Sequence, residues 1–277
     1  MRTALIATVA AAVLTASPAA LATSPETDLN AFRAHFKERF PDTPFNDYIN
    51  GIYSIDAPSR EQWEAIEEFP PYETSIDTGE AMWDEPFANG QSYATCFGDD
   101  VSAVRPRYPH YDAGRDEVVT LELAINECRQ ANGEKPLKYR IGPMADLSAF
   151  IAYQGRGHKI DIKVDSDGAM KWYERGRKHF YAKRGQLNLS CADCHQHNAG
   201  NYVRADRLSP ALGQTTHFPV YRSKWGNLGT LHRRYVGCNK QVRFKALKPQ
   251  SAEYRALEYF HTYMANGLEW NGPGARK

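Results

Sequence analysis

Residues 191–195 read Cys-Ala-Asp-Cys-His, two thiols two residues apart followed at once by an imidazole. This is the attachment signature of a c-type haem. Each part has a chemical reason: the thiols add to the two haem vinyl groups, one helical turn matches the separation of those vinyls, and the adjacent His195 reaches the iron as proximal ligand. Three other chemistries use parts of the same pentapeptide. A zinc site would draw on Cys191, Cys194, His195 or His197 and Cys238, and ordinarily brings a second close-spaced pair, which is missing. A thioredoxin-like dithiol sits at a strand-to-helix turn, whereas residues 168–183 just upstream read as a helix. A plain disulfide gives His195 no part. One covalent haem c, carried by Cys191 and Cys194, is the leading reading.

Such a haem takes a second axial ligand, often a methionine from the stretch before the last helix. Between His195 and Tyr254 there is no methionine. Met264 falls inside a helical pattern, where a core role is the ordinary one. The remaining donors are His197, His217, His232 and Cys238, and His197 stands too close to His195 to reach the other face of the iron.

The elements that must carry these groups read as helices. Asp165 or Ser166 can cap a helix in which Ala169, Trp172, Tyr173, Gly176 and Phe180 recur at helical spacing, and a second amphipathic helix covers residues 254–264. A helix before the pentapeptide and another at the end is the layout of a small cytochrome c domain, with the two helices crossing over the haem. The chain repeats this unit in degenerate form. Gly79-Glu80-Ala81-Met82-Trp83 resembles Gly168-Ala169-Met170-Lys171-Trp172, and Leu147, Phe150 and Tyr153 echo Leu257, Phe260 and Tyr263. Cys128 precedes Leu147 by the same interval as Cys238 precedes Leu257, so Cys96 answers to Cys191 and Cys128 to Cys238. In the first copy the pentapeptide is Cys96-Phe97-Gly98-Asp99-Asp100. It lacks the second thiol and the histidine and cannot hold haem by this chemistry. Its cysteines are free to join as a Cys96–Cys128 disulfide, closing a loop of about 33 residues and contributing about 3 to 4 kcal/mol.

The five cysteines are then accounted for, with Cys238 alone. The repeat favours it as distal ligand over His217 and His232, because only Cys238 is matched by a cysteine in the first copy. A thiolate ligand donates charge to iron and lowers its reduction potential. Arg234, at i−4 on a helix, would lie beside the sulfur and favour the thiolate, and its planar fork suits an oxyanion. Arg233, Lys240 and Arg243 read as solvated surface charge.

The expected fold is mainly α, with two cytochrome c-like domains in tandem, the first without haem. Residues 1–22 form a signal peptide, in which Arg2 precedes the apolar run 4–14 and Ala20-Leu21-Ala22 marks the cut. Residues 23–155 are the haem-less domain with an amino-terminal helical extension around Leu29, Phe32, Phe36 and Phe40, either a brace for the acidic half or a partner contact. Residues 156–277 are the haem domain. The leader is too short to span a bilayer and no later segment approaches the roughly 20 apolar residues a spanning helix needs. The mature chain is therefore expected in the periplasm, where unpaired cysteines need a reason. Formal net charge is +1, which gives no cause to expect nucleic acid. Its distribution is uneven: residues 41–130 hold 19 Asp and Glu against 5 Arg and Lys, and residues 201–245 hold 9 Arg and Lys against Asp206 alone, so the second half draws anions.

The pentapeptide, the degenerate repeat and Arg-Tyr-Val-Gly-Cys-Asn at 234–239 together resemble the SoxA subunits of SoxAX cytochromes, in their mono-haem form, over nearly the whole mature chain. The resemblance implies L-cysteine S-thiosulfotransferase activity: thiosulfate is joined oxidatively to a cysteine of the carrier SoxYZ, and electrons leave through haem. It implies a catalytic persulfide at Cys238, substrate binding at Arg234, a small mono-haem SoxX partner and a downstream cytochrome c. Two other functions fit the same residues, a non-catalytic periplasmic electron carrier with Cys238 as ligand only, and a zinc-stapled binding module.

Overall fold

The computed structural model describes residues 24–276; the leader expected at 1–22 lies outside them. Two pairs of crossing helices organise the chain. α3 (Glu73–Asp84) crosses α6 (Pro143–Gln154) in the first half, and α7 (Asp167–Tyr181) crosses α9 (Ala252–Tyr263) in the second. α7 starts where Ser166 accepts a hydrogen bond from Ala169 N, with Asp167 in the first turn and Lys178 and His179 in the last. Its buried stripe of Ala169, Tyr173, Gly176 and Phe180 follows the helical period. Where the two pairs cross, a glycine is required: a Cβ on Gly176 would run into the backbone of Ala256, and one on Gly79 into that of Asp146.

Between each pair lies the same sequence of smaller elements. The hairpin β1 (His110–Asp112) and β2 (Glu117–Val119) leads into α5 (Leu121–Ala131), capped by Thr120; in the second half, after the short pair β3 (Tyr202–Val203) and β4 (Asp206–Arg207), β5 (Val220–Arg222) and β6 (Asn227–Gly229) lead into α8 (Leu231–Gln241), preceded by Thr230. The halves exchange these hairpins. Val118 joins the core of α7 and α9, with Arg255 Nη1 bonded to Val118 O at 2.8 Å, while Leu228 packs with Ala145 and Ala149 of α6. The strand β7 (Gly274–Arg276) adds in parallel to β5 with Arg276 opposite Arg222.

The Cys96–Cys128 disulfide is present. Cys96 ends a short helix, α4 (Tyr93–Phe97). Trp83, Tyr93, Phe97 and Phe150 fill the space beside it, Trp83 stacking on Tyr93 at 5.7 Å. Asp100 caps the turn that follows by accepting from Ser102 N.

Two expectations are corrected. The helix register of the repeat is not Gly79 with Gly168. Gly79 and Gly176 make the equivalent contacts, against Phe150 and Phe260 respectively, and Trp83 corresponds to Phe180. Gly168 is small for another reason, since a Cβ there would meet the Tyr111 ring of β1. The amino-terminal helix α1 (Pro25–Arg39) does not brace the acidic half. Leu29, Phe32 and Phe36 are buried in the core of α7 and α9, with Phe32 edge-on to Phe180 at 6.2 Å and Asp28 bonded to Tyr173 Oη and Arg177. Between α1 and α3 a 3-10 segment, Phe45–Ser54, and α2 (Ala57–Glu67) line the outer side of β7.

The crossing yields a direct test. Gly176→Ala forces α7 and α9 apart and is expected to cost about 1–3 kcal/mol of stability, read from denaturant midpoints; a change under about 0.5 kcal/mol, the range of a neutral surface substitution, would show that the crossing does not depend on glycine.

Candidate functional site

The pentapeptide forms a widened helical turn held at its start by a reciprocal pair: Ser190 N donates to Asp193 Oδ2 at 2.8 Å, and Asp193 N to Ser190 Oγ at 3.0 Å. α1 backs this turn, His35 Nε2 lying 3.0 Å from Gln196 O and Arg39 Nε donating to Ala199 O at 2.7 Å. The His195 ring is oriented through Nδ1, which lies 2.9 Å from Ser209 O and 2.8 Å from the Gln214 amide, itself 2.6 Å from Ser209 Oγ. With Nδ1 engaged, Nε2 is the nitrogen available to a metal.

Opposite stands Cys238, on α8 one turn after Arg234. Burial raises its thiol pKa, but Arg234, a hydrogen bond with His195, and Arg222 outweigh burial and bring it down to about 7. The neighbouring Cys191 goes the other way, pushed up to about 12 by burial against a weaker pull from Arg184. Cys191, Cys194 and Cys238 are all free thiols. An imidazole with Nε2 available, a sulfur facing it, and two thiols on the imidazole's own turn fit a covalent haem, which Cys191 and Cys194 would attach and His195 and Cys238 would hold. They do not suit zinc as well: among the described residues no three His, Cys, Asp or Glu side chains gather as a metal site.

The other candidate ligands are used elsewhere. His217 lies 3.3 Å from Ile49 O through Nδ1 and is buried under Gly51, which holds its pKa well below the usual value. Met264 is a core side chain. His232 accepts from Gln250 N at 3.0 Å and has Nε2 3.1 Å from Glu258 Oε2, in contact but off the line of a good hydrogen bond. It belongs to a buried charge cluster between the halves. Glu258 faces Glu122 of α5 and Arg105, whose guanidinium lies 3.7 Å above the Trp270 ring. Burial first, then the Glu258 charge, push the Glu122 carboxyl up to about 7, against the pull of His232 and Arg105. Two residues of the site escaped the reading of the sequence. Gln214 carries no pattern, and Arg222 lies on a strand, away from the arginine-rich helix.

Comparison with known proteins places this site in context. The chain is 55% identical over 270 residues to the L-cysteine S-thiosulfotransferase subunit SoxA of Allochromatium vinosum, covering 97% of this chain and 95% of that one. The chain belongs to the SoxA family. The SoxA of Chlorobaculum tepidum is 54% identical, over 91% of this chain and 88% of its own. Among solved structures, SoxXA from P. pantotrophus matches with a TM-score of 0.72 and 31% identity, over 78% of this chain and 84% of the other. The SoxA/TsdA cytochrome c domain family matches residues 78–160, the half without the haem pentapeptide, so the cytochrome signature of this SoxA chain extends to its scaffold. The chain is thus a SoxA-type L-cysteine S-thiosulfotransferase subunit with c-type cytochrome architecture and haem c as cofactor.

The charge cluster gives this SoxA chain a pH signature. A carboxyl whose folded pKa is raised above its unfolded value binds more protons when folded, so its contribution is full below the unfolded pKa near 4.5 and lost as pH rises through about 7. Stability measured by urea unfolding is expected to fall across that window, and Glu122→Gln to flatten the fall; an unchanged slope in the variant would assign the dependence to other groups.

Proposed function

We propose that this SoxA-family chain joins thiosulfate oxidatively to a cysteine thiol of the carrier SoxYZ, with Cys238 as the reacting sulfur and Arg234 as its substrate-binding partner. The observation that carries the reading is the placement of Cys238 against His195 with Arg234 one turn away on α8. The carrier thiol and thiosulfate combine to R–S–S–SO₃⁻ with release of one proton and two electrons. Arg234 holds the sulfonate end and disperses its charge as bonds to sulfur change. Loss of two electrons joins the Cys238 sulfur to the outer sulfur of thiosulfate. The carrier thiolate then attacks that outer sulfur, and Cys238 leaves as thiolate, a group its surroundings favour. A persulfide at Cys238 presents one further sulfur atom to the same exchange. When bound, the haem supplies the route by which the electrons leave, toward a SoxX-type mono-haem subunit and a downstream cytochrome c. Gln214 and Ser209 keep the His195 ring turned for that role.

The reading includes one haem. The first half, residues 23–155, is proposed as a cytochrome c-like domain without haem, supported by its aromatic filling, its disulfide and the absence of a second thiol and histidine near Cys96. Residues 156–277 form the haem domain, and the mature protein works in the periplasm after removal of residues 1–22.

Cys238→Ser is expected to abolish thiosulfate-dependent modification of the carrier cysteine, and Arg234→Ala to lower it by about 10²-fold. A variant that kept full conjugating activity would overturn the assignment in favour of a plain electron carrier. Separately, the intact mass of the purified chain is expected to equal the mature polypeptide plus one haem, less two hydrogens for the disulfide, plus one sulfur. A mass without haem would refute the cytochrome reading, and one without the extra sulfur would leave Cys238 a bare thiolate.

A further inference from the structure

On the outer side of β7 lies a half-open cleft of about 240 Å³ between the halves, lined by Asn50, Trp63, Glu67, Arg156, Asn271 and Arg276 among others. Its one lining carboxylate is fully engaged. Glu67 Oε1 accepts from Trp63 Nε1 and from Ala275 N, each at 2.8 Å, and its other oxygen accepts from Tyr72 Oη. Backbone carbonyls hold both guanidiniums, and the Glu67 carboxylate lies within Coulomb reach of Arg276. Arg156 donates to Gly272 O and Pro273 O. Arg276 donates to Ala275 O and lies beside the stacked pair of Tyr53 and Trp63, 5.2 and 5.7 Å from their ring centroids, with its buried Nε–H lacking any acceptor. A buried donor without a partner is costly, and a fork held by its backbone bond beside the aromatic pair is preorganised for an oxyanion.

The pairing of β5 with β7 links the lining of the cleft to the surroundings of Cys238. In the parallel pairing of β5 and β7, Arg276 stands directly opposite Arg222. Paired residues of neighbouring strands point to the same face, and the alternate residues Tyr221 and Ala275 face the other way, into the contact with α6. Tyr53 lies within Coulomb reach of both arginines, and Arg222 within reach of Arg234 and Cys238. The hairpin does not need arginine at this position. In the first half the equivalent place at the end of β1 is occupied by Asp112, and the hairpin has the same register. Three half-buried arginines therefore succeed one another from the cleft to the sulfur. Arg222 and Arg234 repel each other, Cys238 and Asp206 offset part of that repulsion, and an anion brought to Arg222 offsets more of it.

We propose that Arg276, with Arg156, forms an outer oxyanion-binding station, and that Arg222 relays the anion from it to Arg234 and Cys238. The ligand class is a small sulfur oxyanion with a tetrahedral –SO₃ end, the class of thiosulfate, so the route rests on the catalytic reading of Cys238 while the outer station does not. Arg222 acts as a second substrate-binding side chain. The station raises the local concentration of the dianion and orders its approach, sulfonate toward arginine and outer sulfur toward Cys238.

The test uses the haem-loaded SoxA–SoxX complex at fixed ionic strength. Calorimetric titration with sulfate, a non-reacting member of the class, is expected to show binding that weakens at least tenfold in Arg276→Gln and in Arg156→Gln and persists in Cys238→Ser. With thiosulfate and carrier, Arg276→Gln is expected to raise KM for thiosulfate by about tenfold with kcat nearly unchanged, and Arg222→Gln to raise KM and lower kcat together. Arg276→Lys, which keeps the charge beside the Tyr53–Trp63 pair, controls for folding and is expected to recover part of the sulfate affinity. Sulfate binding that is absent in the parent protein, or equal in parent and both glutamine variants, would overturn the outer station. A KM unmoved by Arg276→Gln and Arg222→Gln would overturn the route even if Cys238 proves catalytic. Loss of activity in Cys238→Ser with sulfate binding retained keeps the two readings separate.

Discussion

The His195 imidazole and the Cys238 sulfur are held within hydrogen-bonding reach of each other, and they come from segments that cannot find each other locally. His195 sits on a short turn and Cys238 on a helix that begins after a β-hairpin. Much of the second half serves to fix that distance. α1 backs the turn through its contacts with Gln196 and Ala199. Ser209 and Gln214 fix the ring. α8 is anchored at its start by Thr230, which reaches Tyr139 O and Arg140 O of the other half. A sulfur placed this way sits among fixed positive charges, and Arg234 and Arg222 favour its ionised form against the cost of burial.

The contact between halves is more than a docking surface. Each half lends its hairpin to the other's helices, and the seam buries Arg105, Glu122, His232 and Glu258 together. Buried charges of this kind are costly unless they compensate one another. Removing one partner leaves the others exposed to that cost, so the first half supports the orientation of α8, the helix that carries Cys238. The histidine in this cluster stands in the first turn of the helix that carries Cys238, which ties the electrostatics of the seam to the placement of the sulfur.

Much of this was legible from residue types and spacing. The pentapeptide, the pairing of Cys96 with Cys128 and the nearness of Arg234 to Cys238 follow from local chemistry and from counting. Other features were not. The wrong register of the repeat arose because Gly168 and Gly176 are about two helical turns apart, so both satisfy the same periodicity, and only the partner backbone tells them apart. The apolar stripe of α1 announced a helix but not the surface it covers. His232 looked like a possible ligand until Glu258, remote in sequence, was found beside it. Arg222 could have been noticed from its contrast with Asp112, two opposite charges at matching places in the repeat, but its nearness to Cys238 depends on strand pairing that no local pattern encodes.

The two helix crossings have a consequence beyond stability. Each is closed at a glycine, backbone against backbone, with no side chain to adjust the distance. The crossings therefore act as rigid moulds, identical in gauge, whose contents are independent of the frame. One crossing stands over aromatic rings and a disulfide, the other over the turn that carries Cys191, Cys194 and His195. A frame gauged by backbone contact leaves what lies beneath each crossing free to differ, rings and a disulfide in one half and a thiol-bearing turn in the other.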